Sequence, residues 1–378
     1  MTSIYFTYPD AVTFSGQTEA SLQILKMLKH EDEFNFHVNP FPAFAHKSKK
    51  NNVYKFILRF VRFFIYNIGV VTKRPDIIYL NIGQSYNKVL LHALPILLVR
   101  FVCKTKLVVS LHGNSFVNWP EKSTLTKLFK YILEKADLIT YLGGNQKECL
   151  EKFKLNNLKK VNNCIDSSYV TEDFLITKQR FKKANILHLS LLIETKGFSI
   201  FLDSFKNKSV QKHKGEIEAT LCGPIHFSTD DERFKTALDK EKWIDERIEK
   251  LKDSEINIKW VKGARGKLKD SILSNATIFV FPSTFSVEAQ PLVLLEAAAN
   301  GCAIITTKAG EIKNVFTNNE VLFINDATEE SVADGIKYLI ENPSIRESLA
   351  VNSYKKIIEE YSTKNYKNTW KSIFNNLT

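Results

Sequence analysis

The sequence predicts an α/β protein of two doubly wound domains, and three features of its 378 residues favour this class. The chain is longer than one hydrophobic core usually serves, so two domains are expected. Short runs rich in β-branched and aromatic residues alternate with longer amphipathic stretches, which is typical of parallel strands joined by crossover helices. This alternation occurs twice, once in each half of the chain.

The first half contains five predicted strands, separated by segments with helical periodicity such as Gln17–Lys29 and Thr124–Lys135. The strands are Ile4–Tyr8, Phe34–Val38, Asp76–Asn81, Lys106–Leu111 and Leu138–Leu142. We therefore expect an N-terminal Rossmann-like domain over residues 1–178.

The second half repeats the pattern after the polar stretch Thr171–Lys183, which has no strand periodicity and is the predicted linker. Its strands are Asn185–Leu191, Glu218–Cys222, Asn257–Val261, Thr277–Phe281, Ala303–Thr306 and Val321–Ile324. A second Rossmann-like domain is expected over residues 179–345. Two helices are predicted from Pro343 to the end of the chain, and they are divided near Tyr361–Thr363. We expect residues 346–378, which form most of these helices, to pack back on the first domain.

The cysteines and the N-terminal residues indicate the cellular compartment that we expect for the protein. Five cysteines are scattered without any CxxC pair, so neither a disulfide framework nor a zinc site is indicated. The N-terminal MTSIYFTYPD lacks the order of a signal peptide, and no segment reaches the ~20 apolar residues of a membrane span. We expect a cytoplasmic protein.

The most informative segment runs from residue 281 to 312 and has the pattern of strand, loop, helix and strand. Pro291 is predicted at the first helical position and Gly301 just beyond the last turn, which are favoured places for these residues. A helix that begins at the carboxyl end of a parallel strand presents free backbone N–H groups and the positive end of its dipole. This edge would suit a diphosphate.

Two glutamates in this segment, Glu288 and Glu296, are separated by seven residues. Glu296 falls inside an apolar helix, where a carboxylate needs a partner. The hydroxyls of a ribose could donate to its two oxygens, or a structural Lys or Arg could pair with it. Position on the helix leaves these two interpretations equally open.

The run E-A-Q-P-L-V-L-L-E, followed by A-x-x-x-G and T-K-A-G-E-I, resembles the E-x7-E region of family-four glycosyltransferases. Other segments match in the same order: N-C-I-D from Asn163, L-S-L-L-I-E-T-K-G-F from Leu189, and L-C-G-P from Leu221. The resemblance covers nearly the whole chain. It implies a GT-B fold, in which two Rossmann-like domains face a central cleft.

The resemblance also assigns residues that bind the donor. Glu288 would contact hydroxyls of the donor sugar and Glu296 would hold the ribose. The backbone amides of the residues between them would bind the phosphates. Many members have glycine where this chain has Ala289 and Pro291. The loop before the helix from Lys267 would meet the nucleobase. The donor-binding residues implied are Ala289, Gln290, Pro291, Leu292, Ala264 and Arg265.

Three further residues follow predicted strands. Lys196 lies in the loop after a strand, from which an ammonium can reach phosphates, and the resemblance assigns it the leaving diphosphate. His112 follows an apolar strand; the resemblance places it near the anomeric centre, whereas a structural histidine is the alternative. Gly16 matches a small residue that lets the backbone approach the donor, although a tight turn would also explain it. The family usually has arginine where this chain has Leu191.

The resemblance implies transfer with retention of anomeric configuration, in which preorganised cations stabilise the departing diphosphate. No Asp-x-Asp stands at a strand end, and Asp230 and Asp231 are interpreted as a solvated helical face. We therefore expect no metal and no cofactor, with a nucleotide-diphosphate sugar as donor substrate.

The N-terminal half holds nearly all the excess charge, because residues 1–180 carry 25 Lys and Arg against 14 Asp and Glu. Residues 47–74 combine cations, among them Lys55, Arg59 and Arg62, with many aromatic and aliphatic residues. This pattern is typical of an interfacial helix on anionic lipid, and a buried crossover helix with snorkelling lysines is the alternative. No nucleic-acid-binding motif accompanies the charge, so nucleic acid is not an expected partner.

We therefore predict a retaining hexosyltransferase-type enzyme that moves a sugar from a UDP-sugar, favoured over GDP-mannose, to a saccharide acceptor. The acceptor would be lipid-linked, at the inner face of the cytoplasmic membrane, in bacterial surface polysaccharide synthesis such as lipopolysaccharide or capsule. The alternative is a non-catalytic GT-B subunit that binds nucleotide or glycan. An epimerase or a phosphorylase of the same fold is a weaker third interpretation.

Overall fold

The computed structural model describes residues 1–8, 16–40, 52–102, 105–165, 178, 183–228, 231–252 and 256–378, and only the backbone of residues 52–60, 62 and 98–101. These residues form two compact units. Unit 1 comprises Met1–Cys164 and Thr363–Thr378, and unit 2 comprises Ile165–Ser362.

Unit 1 contains a sheet of six parallel strands. They are β1 Thr2–Thr7, β2 Phe34–Val38, β3 Ile77–Asn81, β4 Lys106–Ser110, β5 Leu138–Tyr141 and β6 Leu158–Lys160. The spatial order is β2-β1-β3-β4-β5-β6, so the direction of winding reverses between β1 and β3. All five residues of β3 are buried, as expected for a central strand covered on both faces.

Helices cover both faces of this sheet. Five of them precede unit 2 in the chain: α1 Gly16–Leu28, α2 Asn52–Lys73, α3 Tyr86–Val102, α4 Thr124–Leu133 and α5 Gly144–Lys152. The start of α4 shows how the sequence sets a boundary, because the Ser123 side chain accepts a hydrogen bond from the Thr126 N–H at 3.1 Å.

The second sheet also has six parallel strands. They are β7 Ala184–Leu189, β8 Ile217–Cys222, β9 Asn257–Val261, β10 Ile278–Phe281, β11 Ala303–Thr306 and β12 Leu322–Phe323. The order β12-β11-β10-β7-β8-β9 places the reversal of winding between β7 and β10. Ligands of doubly wound sheets bind beyond the carboxyl ends of the strands at such a reversal.

The helices of unit 2 continue the numbering, and one more returns to unit 1. They are α6 Phe198–Ser204, α7 Lys208–Gln211, α8 Ala237–Lys252, α9 Lys267–Asn275, α10 Leu292–Ala299, α11 Ile312–Val315, α12 Glu329–Glu341 and α13 Pro343–Glu360, followed by α14 Thr363–Asn375 in unit 1. The predicted α/β class with two doubly wound sheets is confirmed. Among the described helices, none is long and apolar enough to cross a membrane.

The division between the units differs from the predicted one. It falls between Cys164 and Ile165, whereas the sequence placed it after residue 178; most of the predicted linker lies outside the described residues. Ile165 pairs with Ser362 as a parallel bridge, so the chain enters and leaves unit 2 at neighbouring points.

The two C-terminal helices divide between the units instead of both joining unit 1. Helix α13 belongs to unit 2, and α14 packs within unit 1. The Tyr366 hydroxyl donates to the Ala20 carbonyl of α1 at 3.1 Å, and the Trp370 ring lies edge-on to Tyr79 at 5.4 Å between centroids. Trp370 is only 1% exposed, and with Tyr366 it anchors the end of the chain in unit 1.

Candidate functional site

The edge of the second sheet, at the reversal between β7 and β10, brings together two residues that the sequence singled out. Lys196 ends a short 3-10 turn in the loop after β7, and Glu288 lies in the loop after β10. Lys196 Nζ donates to Glu288 Oε1 at 2.8 Å. The lysine side chain is 21% exposed and the carboxylate 7%, so the ammonium is the more accessible partner.

Two aromatic rings flank this ammonium. Lys196 Nζ lies 5.6 Å from the centroid of Phe281 and 5.8 Å from that of Phe285. Ring faces attract cations and contribute no counter-charge of their own. The ammonium is therefore held in place with Glu288 as its described anionic partner, and it lies where the strand ends of a doubly wound sheet receive ligands.

Two glycines allow the loops of this edge to approach closely. Gly197 has φ 81°, and a Cβ there would overlap the Pro282 carbonyl in the loop after β10. Gly310 has φ 53°, and a Cβ there would overlap the backbone of Glu288. The Glu311 N–H donates to the Glu288 carbonyl at 2.9 Å and fixes the same contact. Glycine is required at both positions, because each combines a positive φ with backbone contact.

A buried histidine ties the two strands together beneath the site. His188 Nδ1 donates to the Val280 carbonyl at 2.9 Å, and Nε2 lies 2.9 Å from the Ser190 hydroxyl. Burial, together with the positive charge of Lys196 and against the hydrogen bond to Val280, lowers the pKa of His188 to about 4. The ring is thus neutral at pH 7. The sequence analysis missed this residue, although a histidine inside an apolar strand was a visible signal.

The loop that carries Lys196 is shaped by a fully buried ion pair. Lys240 Nζ lies 2.7 Å from Asp231 Oδ2 and also donates to the carbonyls of Leu192 and His226. The other oxygen of Asp231 accepts from the Glu194 N–H at 2.8 Å. Every charge in this cluster is therefore matched by a hydrogen bond, as burial demands.

This ion pair corrects one expectation. The sequence interpretation placed Asp230 and Asp231 on a solvated helical face; Asp230 lies outside the described residues, and Asp231 is buried in the connection between β8 and α8. The reason is its partner, because Lys240 on the following helix is itself 0% exposed and its buried charge is paired with the Asp231 carboxylate.

Leu191, where the resembling family has arginine, is 38% exposed beside this loop. An apolar side chain at this position supplies no charge. Lys196 is therefore the cation that lies at the end of the loop after β7.

The helix after Glu288 is α10, which begins at Leu292 with Pro291 as its N-cap. The predicted donor-binding residues Ala289, Gln290, Pro291 and Leu292 lie in the connection and first turn, and Gln290 is 6% exposed. The Leu294 N–H already donates to the Pro291 carbonyl at 3.0 Å, whereas the N–H groups that start a helix ahead of it have no partner within that helix. Anion binding at this end of α10 stays a prediction.

Glu296 lies within α10, and the structure supplies one of the two partners that the sequence left open. Lys269 Nζ of α9 donates to Glu296 Oε1 at 2.5 Å, and both side chains are 26% exposed. A structural lysine is therefore present, and contact of Glu296 with a ribose stays a prediction. Ala264 and Arg265 precede α9 in a loop whose Arg265 is exposed.

In unit 1, His112 follows β4 and belongs to a neutral polar cluster at the edge of the first sheet. Its Nε2 lies 3.0 Å from the Ser110 hydroxyl and 3.4 Å from the Tyr79 hydroxyl. Burial lowers the pKa of His112 to about 4, opposed by the nearby Asn163 amide. The ring is therefore neutral at pH 7 and acts through hydrogen bonds, not through charge.

The remaining predicted residues of unit 1 can be placed only in part. Gly16 is the first residue of α1 and is exposed, while the preceding loop lies outside the described residues. Lys55, Arg59 and Arg62 lie on α2, and their side chains fall outside the described part of the chain. Among the described residues, no three His, Cys, Asp or Glu side chains gather where they could hold a metal ion.

A protein-family model matches part of the chain. Residues 171–356 match the family model described as glycosyl transferases group 1. This region covers the strand, loop and helix elements of unit 2 that carry Lys196, Glu288 and Glu296. Most of unit 2 therefore resembles the glycosyl transferases group 1 family.

One curated protein matches over part of its length. It is the 2-deoxystreptamine N-acetyl-D-glucosaminyltransferase of Niallia circulans, 22% identical over 215 residues. The match covers 54% of this chain and 50% of the relative, so the chain spans about half the length of the curated relative.

Solved structures resemble the whole chain. Alr3699/HepE of Anabaena, solved with UDP, has a TM-score of 0.71 at 14% identity, with all of both chains covered. Sucrose-phosphate synthase of Thermosynechococcus elongatus has a TM-score of 0.73 at 15% identity, covering 100% of this chain and 99% of that one. The pneumococcal O-GlcNAc transferase GtfA, solved with UDP and GlcNAc, reaches 0.61 at 18% identity over 84% of this chain and 60% of that one. These likenesses fit the two-domain α/β fold of GT-B proteins.

Proposed function

We propose that the protein is a retaining glycosyltransferase that moves a sugar from a nucleotide-diphosphate sugar, with UDP favoured, to a saccharide acceptor. One observation carries the proposal: Lys196 and Glu288 form a partly exposed ion pair at the reversal of the second sheet, beside the start of α10. The match of residues 171–356 to glycosyl transferases group 1 supports it, and so do the UDP complexes of the similar HepE and GtfA structures.

The chemistry follows from the charges that develop. When the bond between the anomeric carbon and the diphosphate oxygen breaks, negative charge gathers on the phosphate and positive charge on the sugar. Lys196 and the N–H groups at the start of α10 stabilise the phosphate, and preorganised groups of this kind are the largest expected aid. Glu288 holds the donor sugar through its hydroxyls, and Glu296 holds the ribose.

Retention requires the acceptor to approach from the side on which the nucleotide leaves. The acceptor hydroxyl oxygen bonds to the anomeric carbon on that face, and its proton passes to the departing phosphate oxygen. His112 lies in unit 1 and is neutral at pH 7, so it supplies no second cation; its contact with the donor stays a prediction of the family resemblance. No step of this scheme needs a metal, and we propose that activity persists in a chelator.

The acceptor is proposed to be a lipid-linked saccharide of bacterial surface polysaccharide synthesis, used at the inner face of the cytoplasmic membrane. The charge of the N-terminal half supports this choice, because anionic lipids attract such a surface. Lys55, Arg59 and Arg62 on α2 are the residues proposed to face the acceptor or the membrane.

The alternative is a non-catalytic subunit that binds nucleotide or glycan. Leu191 in place of the family arginine favours it, since one cation of the usual pair is missing. Retention of both Lys196 and Glu288 in contact favours the enzyme.

The test is donor turnover with a panel of nucleotide sugars, followed by NMR of the product to read its anomeric configuration. Consumption of one UDP-sugar to a product with the configuration of the donor is expected. If the protein binds UDP but transfers no sugar from any donor to any acceptor in a lipid extract, the result would support the non-catalytic alternative. A product of inverted configuration would contradict the mechanism.

A further inference from the structure

Helix α2 presents apolar side chains on two opposite faces. Its inner face packs in the core of unit 1, where Tyr66 is 1% and Val70 0% exposed. Its outer face exposes large apolar side chains at helical spacing, with exposures between 45% and 59%. These residues are Val61, Phe64, Ile65 and Ile68. A helix that only crosses over a sheet needs apolar residues on the inner face alone.

Helix α3 repeats this arrangement and packs beside α2. Val89 and Ile96 are fully buried on its inner side, while Tyr86, Leu90 and Leu94 are 54%, 52% and 43% exposed. The spacing of four residues places these three on one side of the helix. We call the seven exposed residues of α2 and α3 together the outer apolar surface.

Exposed apolar side chains are more concentrated on this surface than elsewhere in the described part of the chain. Sixteen large hydrophobic residues are exposed among the described residues, and the outer apolar surface holds seven of them within residues 61–94. Apolar residues scattered singly over a surface need no explanation, but a contiguous group marks an interaction site.

The charge around this surface indicates what covers it. Residues 34–120 contain twelve Lys and Arg but only one acidic residue, Asp76, whose carboxylate accepts from the Ser3 N–H at 2.8 Å. Lys73 and Arg74 at the end of α2, and Lys88 in the first turn of α3, are exposed. An apolar surface bordered by cations fits an occupant that is anionic at its surface and apolar beneath.

We propose that the outer apolar surface docks on an anionic lipid bilayer, with its apolar side chains entering the acyl region and the flanking cations meeting the headgroups. A second copy of the chain is disfavoured as occupant, because it would bring the two cationic regions together. Nucleic acid would satisfy the charge but offers no apolar phase for Phe64, Ile65 and Ile68. Interfacial helices bind bilayers by this combination of apolar burial and electrostatic attraction.

The proposed docking adds a membrane partner to the proposed function. It rests on that function only for the identity of a lipid-linked acceptor. Binding to a bilayer requires neither donor nor turnover. The two can therefore fail separately: a protein that binds UDP and ignores vesicles contradicts the docking alone, and one that binds vesicles and ignores nucleotides contradicts the proposed function alone.

The experiment is co-sedimentation of the full chain with vesicles of equal parts phosphatidylethanolamine and phosphatidylglycerol, compared with vesicles of phosphatidylcholine. The test variant is Ile65→Glu with Ile68→Glu, which places two carboxylates on the outer apolar surface. The matched control is Leu238→Glu with Leu268→Glu in unit 2, which changes the net charge equally at two residues that are 58% and 54% exposed. All three proteins should keep the same melting temperature within experimental error, since all four sites are exposed.

The wild type and the control are expected to sediment with the anionic vesicles and to be released by high salt. The test variant should lose at least about tenfold in partitioning. Equal partitioning of the test variant and the wild type would overturn the proposal, as would a wild type that does not sediment. Concentration-dependent dimerisation in analytical ultracentrifugation that the test variant abolishes, without vesicle binding, would assign the surface to a second copy instead.

Discussion

The carboxyl edges of the two sheets differ in their chemistry. At the edge of the first sheet, the described side chains around His112 are neutral hydrogen-bonding groups, among them Ser110 and Tyr79. At the edge of the second, lysine–carboxylate pairs join the loops and helices, and they include Lys196–Glu288 and Lys269–Glu296.

This difference indicates which of the two sheet edges could stabilise the negative charge of a diphosphate. A neutral histidine can orient a hydroxyl but cannot offset the charge of a diphosphate, whereas an ammonium at a strand end can. The lysine–carboxylate pairs of unit 2 also divide among themselves by exposure. Lys240–Asp231 is 0% exposed at both side chains and shapes a loop, while Lys196–Glu288 lies within reach of a ligand.

The largest expected effect comes from the exposed pair. Lys196→Ala or Glu288→Gln should reduce transfer by about 1000-fold, because each removes a group that acts on the departing diphosphate or the donor sugar. The melting temperature should change little in Glu288→Gln, which keeps the size and shape of the side chain. Initial rates of donor consumption measure the first effect, and a thermal scan measures the second.

Lys183→Ala is the matched control, since Lys183 forms an exposed pair with Glu218 at the amino ends of β7 and β8, opposite the carboxyl edge. Its rate should equal that of the wild type. Full activity in Glu288→Gln would show that the exposed pair plays no part in transfer.

The buried pair should behave in the opposite way. Lys240→Met leaves Asp231 in the interior without its ammonium, and breaking such a pair costs about 3 kcal/mol of unfolding free energy. Urea unfolding measures this loss. Lys240→Met combined with Asp231→Leu should recover much of it, because neither charge then remains buried. A single variant as stable as the wild type would contradict the structural role of the pair.

The buried histidines predict an acid dependence of stability. Burial lowers the pKa of His92, His112 and His188 to about 4, below the ordinary value, so the unfolded chain binds more protons in the window between. Their contribution to stability is therefore complete above about pH 6.5 and is lost as the pH falls toward about 4.

Replacing one of them tests this dependence. Between pH 7 and pH 5, His188→Gln should remove about 2 kcal/mol from the pH-dependent change in unfolding free energy. Urea unfolding at the two pH values provides the measurement, with the exposed His30→Gln as control. An unchanged dependence in His188→Gln would show that this ring does not stay neutral in the folded state.

The smallest effect concerns Glu296. Glu296→Gln should weaken UDP binding by about tenfold, because a neutral amide is a poorer acceptor for the ribose hydroxyls. Lys269→Met should weaken it less, since the carboxylate remains. Isothermal titration calorimetry with UDP measures both. Equal and negligible effects would mean that Glu296 serves only its lysine partner.

Local patterns in the sequence predicted a large part of this arrangement. The strand ends before Lys196 and Glu288 were visible as β-branched runs, and the seven-residue spacing to Glu296 fitted a helix. Proline and glycine marked the boundaries of α10 to within a residue.

The features that the sequence did not predict depend on partners distant in the chain or on loops without periodicity. Asp231 appeared solvated because its lysine lies on the next helix, and the segment between them has no pattern. The pairing of Glu296 with Lys269 joins two helices 27 residues apart, which no local spacing reveals. His188 was overlooked because only the sheet register shows that its ring reaches the Val280 carbonyl of β10.

The most direct test of the central claim is a thermal-shift panel of UDP, GDP, ADP and their common sugar conjugates on the wild type and on Lys196→Ala. A ligand that binds only the folded state raises the melting temperature. Selective stabilisation of the wild type by UDP or one UDP-sugar, strongly reduced in Lys196→Ala, is the predicted result. No stabilisation by any nucleotide, or an equal shift in the variant, would contradict the assignment of this strand edge to a nucleotide-diphosphate sugar.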